Sequence, residues 1–170
     1  MIIGQKETFA FEIGEVTEKS LRIVDIIINN RYVCCDDNIV YVPQFITDLK
    51  YELSRIENLR NNKFQQYLNG KSITEIHKFI ISTRHEESEN YDLEGDEIYP
   101  YFRFMNLGPT TDNFSSFIFY KNNDLYITYE FWRETHTNKE EIGHVFFTKV
   151  KKDEIIQYIS ETINMLENKI

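Results

Sequence analysis

Residues 116–132 read SFIFYKNNDLYITYEFW, and our interpretation of the whole chain starts from this stretch. Aromatic and β-branched residues stand on both sides of Lys-Asn-Asn-Asp at 121–124, a pattern that is typical of a β-hairpin. A third strand is predicted at 144–150, which reads HVFFTKV. Apolar residues then recur at helical spacing and predict an amphipathic helix over 153–168. Three apolar strands and a one-faced helix would cover one another, so we predict a meander with a helix docked on it.

A second meander is predicted in the N-terminal part of the chain. Asn29 and Asn30 tolerate the positive φ of a tight hairpin turn, and the acidic sequence at 36–38 predicts another turn. Asp25 interrupts an apolar run, and we expect it on the solvent face or at a bulge. The four strands predicted around these turns lie at 9–13, 21–28, 31–35 and 39–42.

Two helices are predicted between the meanders. The first begins with a proline and covers 43–60, with apolar residues on one face, and it is expected to stop in Asn61-Asn62. The second covers 73–83. Ser72 and Glu75 match a capping box, in which each side chain satisfies a free backbone N–H group of the first helical turn.

The aromatic run at 99–105 predicts a further strand. Strands, two helices, strands and a helix then follow one another, and such segregated runs indicate an α+β fold. We therefore predict a mainly antiparallel sheet, built as two meanders and packed against about three helices in a single domain over 1–170. The predicted core includes Phe9, Phe11, Ile28, Leu49, Leu53, Phe119, Ile127, Phe147, Ile159 and Ile163.

The chain is acidic, with a formal net charge of −9. A surface of that sign repels nucleic acid, because phosphate binding needs a basic patch. It suits a cationic protein partner, since opposite potentials steer encounter. The simpler interpretation is that many cytosolic proteins are acidic.

Targeting signals and membrane spans are not predicted. The N-terminus lacks a basic region followed by a long apolar one, and no apolar run approaches the ~18 residues of a membrane span. Cys34 and Cys35 are adjacent in a predicted strand and do not form a disulfide framework. We expect a cytoplasmic protein.

Catalytic motifs are not found either. The histidines at 77, 85, 136 and 144 have no H-x-x-x-H spacing, no G-x-S-x-G sequence is present, and no glycine-rich loop could hold a phosphate. Cys34 or Cys35 could act with a distant histidine, but cysteine in a β-branched run is more often a small buried hydrophobic residue. We predict neither an enzyme nor a bound cofactor or metal.

Residues 86–97 (EESENYDLEGDE) are the densest acidic run, with seven acids among twelve residues, compared with 28 acids among all 170. Like charges at this density repel and predict an exposed, extended segment. It is either a solvated loop without a role or a surface that binds a basic protein. A calcium loop would require an acid spacing and a central glycine that are not met. The candidate binding residues are Glu86, Glu87, Glu89, Tyr91, Asp92, Leu93, Glu94, Asp96 and Glu97.

Two further strings stand out: MIIG at 1–4 followed by FAFEI at 9–13, and YFRFMNLGP at 101–109 with an aspartate close behind. They resemble the strings MIIG…FAIE and FRFC-LGP-D of a group of bacterial polymorphic-toxin immunity proteins. The closing strand and helix agree with that group. Phe11 stands where the group has Ile, Met105 stands where it has Cys, and the acidic segment has no counterpart in it.

The resemblance implies a single immunity-type domain that acts as a cytoplasmic antidote. It would bind the C-terminal toxin domain of a contact-dependent growth inhibition protein, or of a similar delivered effector, and block it without being an enzyme. The group supplies no toxin-binding residue, because immunity surfaces diverge with their toxins. A basic nuclease is one toxin that an acidic inhibitor would suit.

Two other functions fit the sequence. One is a small cytosolic enzyme or ligand-binding module, which would need a deep pocket with converging polar groups. The other is an adaptor subunit with an exposed strand edge. Neither requires nucleic acid or a membrane, and we favour a monomer.

Overall fold

The computed structural model describes residues 1–34, 37–60 and 63–168. Within these ranges the strands are β1 (Ile2–Gln5), β2 (Phe9–Glu18), β3 (Leu21–Ile28), β4 (Arg31–Tyr32), β5 (Ile39–Tyr41), β6 (Phe114–Lys121), β7 (Asp124–Phe131) and β8 (Val145–Val150). The α-helices are α1 (Val42–Glu57), α2 (Gln65–Leu68), α3 (Ile73–Ser82), α4 (Ile98–Phe102) and α5 (Lys152–Glu167). Short 3-10 turns lie at Gly108–Thr111 and Lys139–Glu141.

The strands form two antiparallel sheets. In the first sheet the order is β1-β2-β3-β4, and β5 pairs with the other end of β3. The second sheet is β6-β7-β8. Tight turns join β2 to β3, β3 to β4 and β6 to β7, and Asn29 and Asn30 have φ values of 51° and 61°, as a hairpin of this kind requires. The predicted α+β fold with two antiparallel meanders is confirmed.

The second sheet has apolar side chains on both faces because helices cover both. Ile118 and Ile127 are paired across β6 and β7 and point into the first core, which also contains the inward face of the first sheet, α1 and α5. Phe117 and Phe119 point the other way, into a second core with α3 and α4. The second sheet therefore forms the wall between two apolar layers.

The helix predictions are confirmed in place. α1 and α5 match the helices predicted over 43–60 and 153–168, although α1 ends three residues early. Ser72 and Glu75 form the predicted capping box at the start of α3. The predicted stop in Asn61-Asn62 and the side chain of Cys35 lie outside the described residues, whereas Cys34 is buried. None of the helices described is long and apolar enough to span a membrane.

The strand predicted at 99–105 is wrong, because its first part is helical. α4 covers residues 98–102, and Ile98 and Phe102 are both buried in the second core. These two positions are four residues apart, which is the spacing of one helical face. Arg103 alone makes an isolated antiparallel bridge, to Phe117. The sequence interpretation also did not include β1 and α2.

Eight of the ten predicted core residues are buried, and two are not. Phe147 is 43% exposed because it lies on β8, at the edge of the second sheet. Leu53 is half-buried and packs at the margin of the first core. Asp25 is half-buried and lies opposite Glu12, away from the bulge of β2 between Ile13 and Val16.

Candidate functional site

Segment 86–97 joins α3 to α4 and is a chain of tight turns. The backbone N–H of Asp92 donates to the carbonyl oxygen of Thr83 at 3.0 Å, and Asn90 Nδ2 donates to Ser82 Oγ at 3.0 Å. Asp92, Glu94 and Asp96 all have positive φ, between 55° and 58°. The expectation of an extended segment is wrong, because these bonds fold it back onto the end of α3.

Three of its acids are bound to the rest of the chain. Arg84 donates to both oxygens of Asp96, at 3.0 and 2.9 Å. Lys63 lies 3.4 Å from Glu97, and the hydroxyl of Tyr67 donates to Glu94. Within the described part of the chain, the acids of this segment that are exposed and have neither an ion pair nor a side-chain hydrogen bond are Glu86, Glu87, Glu89 and Asp92.

The two apolar residues of the segment differ in exposure. Tyr91 is 50% exposed and could contact a partner. Leu93 is half-buried, because it packs against the second core of its own chain. Of the two apolar candidate binding residues in the segment, Tyr91 is therefore the one that is exposed to solvent.

A buried polar cluster lies under α3, where sequence reasoning had found no pair of interacting residues. His77 is fully buried, and its Nδ1 lies 2.8 Å from Thr128 Oγ1. Its Nε2 is 3.3 Å from Glu130 Oε2 without the alignment of a hydrogen bond. Lys78 donates to both oxygens of Glu130 at 2.7 Å. The cluster joins α3 to β7 across the second core.

Burial lowers the pKa of His77, because the charged imidazolium is disfavoured away from water. Burial would raise the pKa of Glu130, but the nearby His77 and Lys78 side chains outweigh it and lower that pKa. The side chain of His77 is therefore neutral, and it lies beside the ionised carboxylate of Glu130, which is paired with Lys78. The fixed partners and the buried ring indicate a structural role.

We expect this cluster to make the protein acid-sensitive. Unfolded His77 gains a proton below its ordinary pKa of 6.5, whereas the folded residue resists it, so stability present above that pH is lost as the pH falls. Thermal melts between pH 7.5 and 5.5 should show a falling midpoint. The fall should be smaller in His77→Gln, and an equal fall in both proteins would contradict this assignment.

A second cluster joins the two sheets. His136 stacks on Phe131 with ring centroids 3.9 Å apart, and its Nε2 lies 3.1 Å from Glu141. Arg31 Nε lies 3.4 Å from the other oxygen of Glu141, and its guanidinium sits 4.4 Å from the centroid of Phe146. Over residues 1–34, 37–60 and 63–168, no group of three or more His, Cys, Asp or Glu residues is placed to hold a metal ion.

Three depressions of the surface do not resemble a small-molecule site. One enclosed depression between Val16, Val42 and Leu166 has room for about one water. A second lies between Arg103, Ser115 and Trp132 and is lined almost entirely by polar atoms. A wider one beside α3 is open to solvent. These three do not provide the deep apolar pocket that a ligand-binding module would need.

The comparison with known proteins rests on the fold and not on a pocket. No family model matches the sequence, and neither does any curated protein. The fold is shared with CdiI. The crystal structure of CdiI from Burkholderia dolosa AUO158 matches with a TM-score of 0.67 and covers 97% of this chain and 99% of that chain. The two sequences are 11% identical, so the likeness to CdiI is one of fold.

The second string of the sequence resemblance, residues 101–109, is bound to α1 by hydrogen bonds. Arg55 donates to the carbonyl oxygens of Tyr101, at 2.6 Å, and of Arg103. The backbone N–H of Met105 donates to the buried carboxylate of Glu52 at 3.3 Å. These contacts indicate that residues 101–105 contribute to the scaffold of the protein, whereas Asn106 and Pro109 are exposed.

Sequence reasoning did not single out the exposed apolar side chains of the first sheet. Ile2, Tyr32, Ile39 and Tyr41 are 45%, 45%, 49% and 56% exposed. The alternation along the strands was the signal that could have found them, because neighbours of inward residues must point outward. The alternation does not show by itself which of the two faces of the sheet is covered by other parts of the chain.

Proposed function

We propose that this chain is an immunity protein that binds and neutralises the C-terminal toxin domain of a contact-dependent growth inhibition protein or of a similar delivered effector. It would act in the cytoplasm, as a monomer and without catalysis. The observation that carries this proposal is the fold match to CdiI, an immunity protein of contact-dependent growth inhibition, over 97% of the chain. The two strings in the sequence support it independently.

The charge of the chain favours a basic toxin. The net charge is −9, and segment 86–97 presents four exposed acids that have neither an ion pair nor a side-chain hydrogen bond within the described residues. Toxins that act on nucleic acid hold phosphates with basic residues, and an acidic inhibitor can occupy such a surface. A nuclease is therefore the toxin class that we propose.

The proposed function is tested by co-expression. The proposal predicts a gene for a large secreted protein immediately upstream of the gene for this chain, and the C-terminal domain of that protein is the probe. Induced alone in a bacterial host, this domain should arrest growth, and co-induction of the chain should restore it. The purified proteins should elute together. A toxic domain that the chain neither binds nor neutralises would contradict the proposal.

The predicted role of segment 86–97 is tested by association kinetics. A quadruple variant, Glu86→Gln, Glu87→Gln, Glu89→Gln and Asp92→Asn, should associate several-fold more slowly with the same toxin domain at low salt, since exposed charges steer encounter. The difference should shrink above about 0.15 M salt, where screening acts within about 8 Å. The three acids bound to Arg84, Lys63 and Tyr67 are left in place because their loss would disturb the fold of the segment.

The matched control changes the net charge by the same amount elsewhere on the surface. It carries Glu→Gln at four exposed positions that have no ion pair within the described residues: Glu57, Glu134, Glu140 and Glu161. If the two quadruple variants associate at the same rate, the segment is a solvated loop and only the total charge matters.

A further inference from the structure

One face of the first sheet points away from the first core, and we call it the outer face. Ala10 and Ile27 on this face are fully buried, whereas the isoleucine and tyrosine side chains described above are about half exposed. Phe9, Phe11 and Ile26 point inward, so the residues between them on β2 and β3 point outward. The strand register aligns the outward residues in rows across the sheet: Ile2 with Glu12 and Asp25, Gly4 with Ala10, Ile27 and Tyr32, Ile23 with Ile39, and Leu21 with Tyr41. The exposed isoleucine and tyrosine side chains named above all stand on this face.

The exposure of several apolar side chains on the outer face requires a physical explanation. Ile39 and Tyr41 lie on the same side of β5, two residues apart, and about half of each side chain is exposed. Single exposed apolar residues are ordinary, whereas several on one face mark interaction surfaces. Tyrosine is also among the residues that are enriched in the cores of protein interfaces.

Two carboxylates stand directly opposite each other on the outer face. Glu12 of β2 pairs in register with Asp25 of β3, and like charges in this position destabilise a sheet. Glu12 lies 3.4 Å from Lys6 Nζ, whereas Asp25 accepts from the neutral side-chain amide of Asn38, which lies 3.1 Å from each oxygen. Burial raises the pKa of Asp25, and the neighbouring charge of Glu12 raises it further. A cation from outside would relieve this repulsion.

We propose that the outer face is the surface on which the toxin domain docks. Ile39 and Tyr41 are its apolar anchors, and Asp25 receives an arginine or lysine of the toxin. The inference rests on the proposed function, because its occupant is the toxin domain. A basic partner is favoured by charge complementarity, whereas a second copy of this chain would bring a net charge of −9 against Glu12 and Asp25.

The outer face has several exposed apolar side chains, whereas segment 86–97 has one. A stable interface depends on a few apolar or aromatic anchors that become fully buried. The segment has Tyr91 exposed, while Leu93 is packed against the second core. The first sheet contributes to the first core, so the two candidate surfaces belong to different layers of the molecule. The same binding assay can therefore separate them.

The test compares exposed tyrosines on three surfaces by binding kinetics with the upstream-encoded toxin domain. The double variant Ile39→Ala and Tyr41→Ala should dissociate about tenfold faster or more, because it removes buried anchors. Tyr51→Ala on α1, where the side chain is 69% exposed, is the matched control and should not change the kinetics. Tyr91→Ala tests the acidic segment in the same way. Thermal melts should differ little among the three, since each of the side chains is about half exposed or more.

Asp25→Asn separates binding from folding. The amide keeps an oxygen for Asn38 and removes the like charge opposite Glu12, so the melting temperature should stay the same or rise. Association with the toxin domain at low salt should nevertheless slow several-fold. A variant that loses stability and binding together would show that Asp25 is structural.

The results of these experiments distinguish the proposed docking face from the proposed function on which it rests. If the unmodified chain neutralises the toxin domain and the Ile39/Tyr41 variant binds equally well, the docking face is elsewhere and the proposed function stands. If the unmodified chain neither binds nor neutralises the domain, both proposals are overturned.

Discussion

Phe117→Ala should lower the free energy of unfolding by about 3–5 kcal/mol, as expected when a fully buried phenylalanine is truncated to alanine. Phe117 is 0% exposed, and its ring centroid lies 4.9 Å from that of His77 and 5.2 Å from that of Tyr99. The side chain thus joins α3 and the residues of α4 to the second sheet. Its loss leaves a cavity that neither helix can close. Urea denaturation followed by circular dichroism measures the change.

Phe147→Ala is the matched control. The register places Phe117 opposite Thr128, and Thr128 opposite Phe147, so both phenylalanines stand on one face of one sheet. Phe147 is 43% exposed, and its truncation should cost about 1 kcal/mol. If Phe117→Ala does not fold, Phe117→Leu provides the comparison with a smaller loss. Equal losses at the two positions would contradict the second core.

Arg55→Ala should cost about 3–5 kcal/mol at neutral pH, because it leaves a buried carboxylate without its charge partner. Glu52 is 2% exposed, and its Oε2 lies 3.3 Å from Arg55 Nη2. Arg55 also bonds the carbonyl oxygens of Tyr101 and Arg103, so the variant releases the string at 101–109 from α1.

The pH dependence of this loss tests its cause. Burial raises the pKa of Glu52 above its ordinary 4.5, and Arg55 opposes that rise. Without Arg55 the pKa rises further, and a carboxyl whose folded pKa is raised loses its contribution to stability as the pH increases through that value. The defect of Arg55→Ala should therefore be smaller near pH 4.5 than at pH 7.

The double variant Arg55→Ala with Glu52→Gln is the control for charge. It removes the buried carboxylate and keeps an oxygen for the N–H of Met105. It should be more stable at pH 7 than Arg55→Ala alone and should lack the additional pH dependence. A double variant that is no more stable than the single one would show that the lost carbonyl contacts, rather than the unpaired charge, account for the effect.

Segment 86–97 shows how far the sequence could describe the candidate site. Its exposure follows from seven acids in twelve residues, because so many like charges cannot be buried together. The folded path of the segment does not follow from its sequence. Arg84 binds Asp96 from 12 positions away and Lys63 pairs with Glu97 from 34 positions away, and no local pattern encodes these contacts.

The sequence by itself determined most of the elements and the antiparallel pairing of strands that short turns join, although β1 and α2 were not predicted and α4 was predicted as a strand. Periodicity of two or about four residues marks strands and helices, and short turns such as Asn29-Asn30 leave neighbouring strands no other direction. Tertiary structure decided which faces are covered. Phe117 and Phe147 stand in similar aromatic runs, but Phe117 is fully buried in the second core and Phe147 is 43% exposed on an edge strand. Alternation places Tyr41 on one face of the first sheet, and whether that face meets solvent depends on where distant helices pack, since burial is a property of the assembled layers.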